Sequence, residues 1–120
     1  MHVLALVLIG LVAATHGYFL VLEMFLWRTP FGRRIFGTDE AFAERSAVLA
    51  ANQGLYNGFL AAGLVWSLVA ADPVGFQAAV FFLVCVIVAG VYGAATVNRR
   101  ILFVQAVPAA LALVAVLIAG

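Results

Sequence analysis

Hydrophobic residues fall in four long blocks: about Val3 to Trp27, Ala47 to Ala70, Gly75 to Val97 and Ile101 to Ala119. A helix needs about 20 residues to cross a bilayer, and each block has roughly that length. The links after the second and third blocks are so short that successive helices must run antiparallel. An open sheet is excluded, because unpaired backbone groups cannot be left in lipid. The pattern predicts an all-α integral membrane protein, an up-down-up-down four-helix bundle. It forms one transmembrane domain over residues 1–120, with one sizeable connection at 28–46.

The second block is the unusual one. Its stretch AANQGLYNGFLAAG, Ala50 to Gly63, carries Asn52, Gln53, Tyr56 and Asn57 inside an apolar run. At about 100° per residue these four side chains share one broad helix face. Ala50, Gly54, Gly58 and Ala62 recur every fourth residue on the other side. One face offers hydrogen bonds, and the other lets a second backbone come close. Gly90 and Gly93 in the third block are read the same way, as packing positions, and such small-residue stripes are compatible with a homodimer.

Composition sharpens the membrane assignment. The 120 residues are 68% hydrophobic and 9% charged, with a mean hydropathy of +1.23. Soluble domains are about 45–50% apolar and about 25% charged. The N-terminus lacks the positive region of a signal peptide, so the first block is read as a span. Every basic residue is an arginine in one of two places: Arg28, Arg33, Arg34 and Arg45 after the first span, Arg99 and Arg100 after the third. Both connections lie on the same side of a four-span bundle, and the opposite one has only Asp72 and Pro73. The positive-inside rule puts both basic connections in the cytoplasm and both termini outside, in a multi-pass membrane protein. No basic cluster suits nucleic acid.

The connection at 28–46 has its own organisation. Thr29-Pro30 ends the first helix. Phe31 to Gly37 mixes aromatic and basic residues and reads as a membrane-surface segment, phenylalanines towards the acyl chains and Arg33 and Arg34 towards phosphate. Arg28, Arg99 and Arg100 are assigned to the same surface. Thr38 is the expected N-cap of the second long helix, with Asp39 and Glu40 in its first turn. Pro108 is expected to kink the fourth span.

Depth along each span, at about 1.5 Å per residue from its cytoplasmic end, groups the polar side chains. Glu23, Tyr92 and Gln105 come out at about 6–7 Å, and Asn52 and Gln53 at about 8–9 Å. Tyr56, Asn57 and His16 come out at about 14–16 Å. If their faces converge, His16, Glu23, Asn52, Gln53, Tyr56, Asn57, Tyr92 and Gln105 line a pocket open to the cytoplasm. A carboxylate at that depth needs a partner. The candidates are Asn52, Gln53, Gln105, Tyr92, or an arginine reaching in from Arg28 or Arg99.

Three functions are compatible with such a cluster. The first is binding or transport of a small polar or amphipathic molecule, with Glu23 as charge partner and His16 as a proton acceptor. The second is an accessory subunit whose amides hold helices together. The third is a membrane-embedded enzyme with His16 or Glu23 as general base, although no nucleophile or cofactor motif accompanies them. No metal is expected, because His-x-x-His and Glu-x-x-His spacings are absent and the single Cys85 sits in an apolar run. No cofactor is expected either.

The strings HGYFLVLEMFLWRTPFGRRIFG, LAANQGLYNGFLAAGL and VYGAATV together resemble the small bacterial four-span membrane family known as domain of unknown function 1304. The resemblance runs from about Leu11 into the last span. It implies a short integral membrane protein and carries over no biochemical activity. Its signature positions in this chain are His16, Tyr18, Glu23, Asn52, Gln53, Tyr56, Asn57 and Tyr92. Small multidrug-resistance transporters share only the architecture of a short four-span chain with a glutamate in the first helix.

Overall fold

In the computed structural model, which describes residues 1–120, the chain is all helical. It comprises α1 (Val3–Met24), α2 (Pro30–Phe36), α3 (Glu40–Val69), α4 (Val74–Thr96) and α5 (Val107–Ala119), with a π-helical turn, Leu102–Ala106, leading into α5. The helices form two compact units, Met1–Ala14 with Leu60–Gly120, and Thr15–Phe59.

Three helical stretches, Val3–Met24, Val74–Thr96 and Leu102–Ala119, are long and apolar enough to cross a membrane. The fourth expected span does not reach that standard. It lies in α3, whose apolar character is diluted by Asn52, Gln53 and Asn57 and whose first turns carry Glu40, Glu44 and Arg45.

The larger unit is held by close packing of small residues. Its core draws on four helices: Ala5, Ile9, Val12 and Ala13 of α1, Leu64 of α3, Ala79, Leu83 and Val86 of α4, and Ala109, Ala112 and Val116 of α5. Five of these eleven residues are alanines, which let backbones approach between the branched side chains of the other six. Gly90 shows how closely: a Cβ there would lie 2.9 Å from the Ala106 nitrogen and 3.0 Å from its Cβ. A Cβ on Gly93 would lie 3.1 Å from Ile101 Cγ2. The helix accommodates Pro108 through a widened turn. The Val107 N–H reaches back to the Leu102 carbonyl, and the π-helical turn places Ala106 against Gly90.

The smaller unit is shaped by caps and side-chain hydrogen bonds. α1 closes at Met24, where the Leu26 N–H returns to the Val21 carbonyl at 3.1 Å. Thr29 caps α2: its hydroxyl accepts from the Gly32 N–H at 3.1 Å and donates to the Leu26 carbonyl at 2.7 Å. Pro30 occupies the first helical position, where a missing N–H costs nothing. Gly32 must lack a side chain, because a Cβ would collide with the Leu26 carbonyl. Gly37, at φ 68°, ends α2 in the left-handed conformation that glycine tolerates.

Two details of this connection differ from the sequence expectation. The cap of α3 is Asp39, whose Oδ1 accepts from the Phe42 N–H at 2.7 Å, and not Thr38, whose hydroxyl is buried without a hydrogen bond. Asp39 wins because a carboxylate next to a helix N-terminus gains both the hydrogen bond and the dipole interaction. Phe36 packs against Trp27 with ring centroids 4.8 Å apart and planes tilted by 49°, so it is committed within the protein, whereas Phe31 and Ile35 remain exposed.

Candidate functional site

Glu23 and Asn57 form the centre of the smaller unit. Asn57 Nδ2 donates to Glu23 Oε1 at 2.6 Å, and also lies 3.3 Å from the Gln53 carbonyl one turn earlier on α3. The i, i+4 carbonyl orients the amide, and the carboxyl receives a donor that α1 itself could not supply. Oε2 takes no hydrogen bond from the protein.

Glycine makes this contact possible. A Cβ at Gly54 would lie 2.7 Å from Met24 Cγ, 3.0 Å from Glu23 Cβ and 3.3 Å from the Leu20 carbonyl. A Cβ at Gly58 would lie 2.6 Å from Leu20 Cδ1. As residue numbers rise on α3 they fall on α1, so the two segments run antiparallel. Gly54 faces Glu23 and Met24, while Gly58 faces Leu20.

This register corrects the depth count. The count set Glu23 level with Asn52 and Gln53, and His16 level with Tyr56 and Asn57, by starting the helices at Trp27 and Ala47. The packing contacts instead set Gly54 against Glu23 and Met24 and Gly58 against Leu20, about one turn further along α3 than a count from Trp27 and Ala47 places them. Glu23 therefore meets Asn57, which was not among its expected partners. Leu20 already faces Gly58, so His16, a further turn along α1, lies beyond Tyr56 and Asn57. His16 is fully buried, with its ring edge-on to Phe19 at 5.6 Å.

The arginines also take particular places. Arg28 pairs with Glu44 at 3.2 Å on the surface, not with Glu23. Arg33 is half-buried, its Nε without a hydrogen-bond partner, and Arg34, Arg99 and Arg100 are exposed. Beside Arg28, Trp27 Nε1 donates to Ser46 Oγ at 3.1 Å, and that hydroxyl donates to the Phe42 carbonyl at 2.7 Å. This indole clasp has no signature in sequence spacing beyond Trp, Ser and an intervening turn.

An open cleft of about 530 Å³ lies where α1 ends, lined by Glu23, Met24, Phe25, Trp27, Arg28, Thr29, Ala47, Val48 and Ala51. Of the eight residues expected to line a pocket, only Glu23 borders it. Asn52, Gln53 and Tyr56 are exposed elsewhere on α3. Tyr92, on α4, is exposed, and Gln105, in the π-helical turn, is half-buried; both belong to the other unit. Chemically the cleft combines one carboxyl, an indole face and aliphatic walls. Its arginine, Arg28, is paired with Glu44.

Comparison with known proteins places the chain in a family. The family described as protein of unknown function (DUF1304) matches residues 10–117. The Uncharacterized protein YpaA of Lactococcus lactis subsp. lactis (strain IL1403) is 32% identical over 116 residues, covering 95% of this chain and 97% of that protein. No solved structure matches. With residues 10–117 matched by the family and 95% of the chain by the relative, this chain belongs to the DUF1304 family.

Proposed function

We propose that this chain is a multi-pass protein of the bacterial inner membrane that binds a small amphipathic cation in the cleft at the end of α1. The observation that carries the reading is Glu23: its Oε1 is fixed by Asn57, its Oε2 has no protein donor, and the residue borders the cleft. Trp27 contributes an aromatic wall and Met24, Phe25, Ala47, Val48 and Ala51 an apolar one. Transport of the bound molecule is an extension of the same reading, with the basic connections on the cytoplasmic side and both termini outside.

The reading takes α3 as the fourth crossing. Its residues 47–69 hold no charge, and at about 1.5 Å per residue they suffice for a hydrocarbon core of about 30 Å. The preceding turns, with Glu40, Glu44 and Arg45, stay in water. Arg28, Arg33 and Arg34 in one connection, and Arg99 and Arg100 in another, then each belong to the cytoplasmic headgroup layer.

The test uses full-length protein in lipid nanodiscs, with tetraphenylphosphonium as the probe cation and tetraphenylborate as a matched anion. The expected result is saturable binding of the cation, weakened at least about tenfold by Glu23→Gln with thermal stability nearly unchanged. Equal uptake of cation and anion, or binding insensitive to Glu23→Gln, would contradict the proposal.

A further inference from the structure

Asn52, Gln53 and Tyr56 remain without a place in the cleft, and their arrangement suggests what they are for. On α3, Leu49, Asn52, Tyr56 and Phe59 are separated by three, four and three residues, and all are exposed. That is the spacing of a helix–helix seam, in which Leu49 and Tyr56 take one kind of core position and Asn52 and Phe59 the other. Gln53 flanks the seam and is exposed as well. The opposite, glycine-bearing face of α3 is already occupied by Leu20, Glu23 and Met24 of α1. The small-residue stripe is therefore spent within the chain, and the amide–aromatic stripe is the free one.

From this juxtaposition we infer that α3 pairs with α3 of a second copy of this chain, along Leu49, Asn52, Tyr56 and Phe59. The inference rests on the reading of α3 as a membrane crossing. Two copies inserted in one orientation are related by an axis along the membrane normal, so their α3 helices lie parallel. In a parallel pair equivalent core positions face each other, Asn52 against its counterpart and Tyr56 against its counterpart. A carboxamide carries both donor and acceptor, so two Asn52 side chains satisfy each other reciprocally. Left towards lipid, the same amides would have no partner. The seam offers no charge for an oppositely charged partner to recognise, and it stops before Arg45, where like charges would meet.

Cross-linking in native membranes tests this directly. In a Cys85→Ala background, Asn52→Cys and Tyr56→Cys are expected to give an oxidised dimer, and Val88→Cys, exposed on α4, is expected to give none. In nanodiscs of defined lipid, Asn52→Leu should weaken dimerisation by about tenfold and Asn52→Gln should largely preserve it. A monomeric mass for the wild type, or cross-links at Val88 in place of Asn52, would overturn the pairing. An impermeant maleimide separates the two ideas. Asn52→Cys that is shielded yet uncross-linked defeats the pairing alone. Asn52→Cys that is freely labelled from water and uncross-linked defeats the membrane crossing of α3 as well.

Discussion

The two units of this chain solve the same problem with different means. In the larger one, helices meet through alanine and glycine, and a buried polar side chain such as Ser67 is satisfied by the Leu64 carbonyl of its own helix, at 2.6 Å. In the smaller one, Asn57, Ser46, Thr29 and Asp39 each hold a position through a side-chain hydrogen bond. The contrast is informative because apolar side chains gain little by leaving lipid for a helix interface, so close packing must supply cohesion there. Hydrogen-bonded side chains instead fix direction and spacing, which is what a site needs. The chain concentrates its chemistry where it has given up some of its apolar packing.

The largest expected difference between the units comes from enlarging Gly90. Gly90→Val would push a branched side chain onto the Ala106 backbone, and overpacking of this kind costs about 1–3 kcal/mol. Unfolding in mixed micelles should show that loss, and an unchanged midpoint would mean that α4 and α5 are not locked at this point. Gly58→Ala should cost much less, since it meets only the flexible end of Leu20. Next in size is removal of a cap. Thr29→Ala or Asp39→Ala should each cost about 1 kcal/mol, and faster hydrogen exchange should be confined to the first turn of α2 or α3. Smallest is the surface ion pair. Arg28→Ala or Glu44→Ala should change stability by about 0–1 kcal/mol, less at high salt, because both partners are mostly exposed.

Much of the helical layout was legible in the sequence, because unbroken apolar blocks leave few alternatives. Thr29-Pro30 likewise marks a boundary, although it begins α2 as well as following α1. The partner of Glu23 was not legible from depth, because the ends of the first two apolar blocks, Trp27 and Ala47, are not level: the register of α1 on α3 is set by the close contacts at Gly54 and Gly58. A better signal was present. Gly54 and Gly58 mark the line of closest approach, and Asn57 stands next to that line on α3. Counting outward from the glycines, instead of inward from the ends of the apolar blocks, would have brought Asn57 to Glu23. Asn52 and Tyr56 point away from that line, which is why sharing a broad face with Asn57 did not place them in one site.

The central claim is that Glu23 and Asn57 act as a coupled pair that builds the site. A double-mutant cycle on unfolding free energy, using Glu23→Ala, Asn57→Ala and the combination, measures it most directly. A part-buried side-chain hydrogen bond predicts a coupling of about 1 kcal/mol or more. Additive losses, with no coupling beyond about 0.5 kcal/mol, would show that the two side chains act independently and would contradict the account.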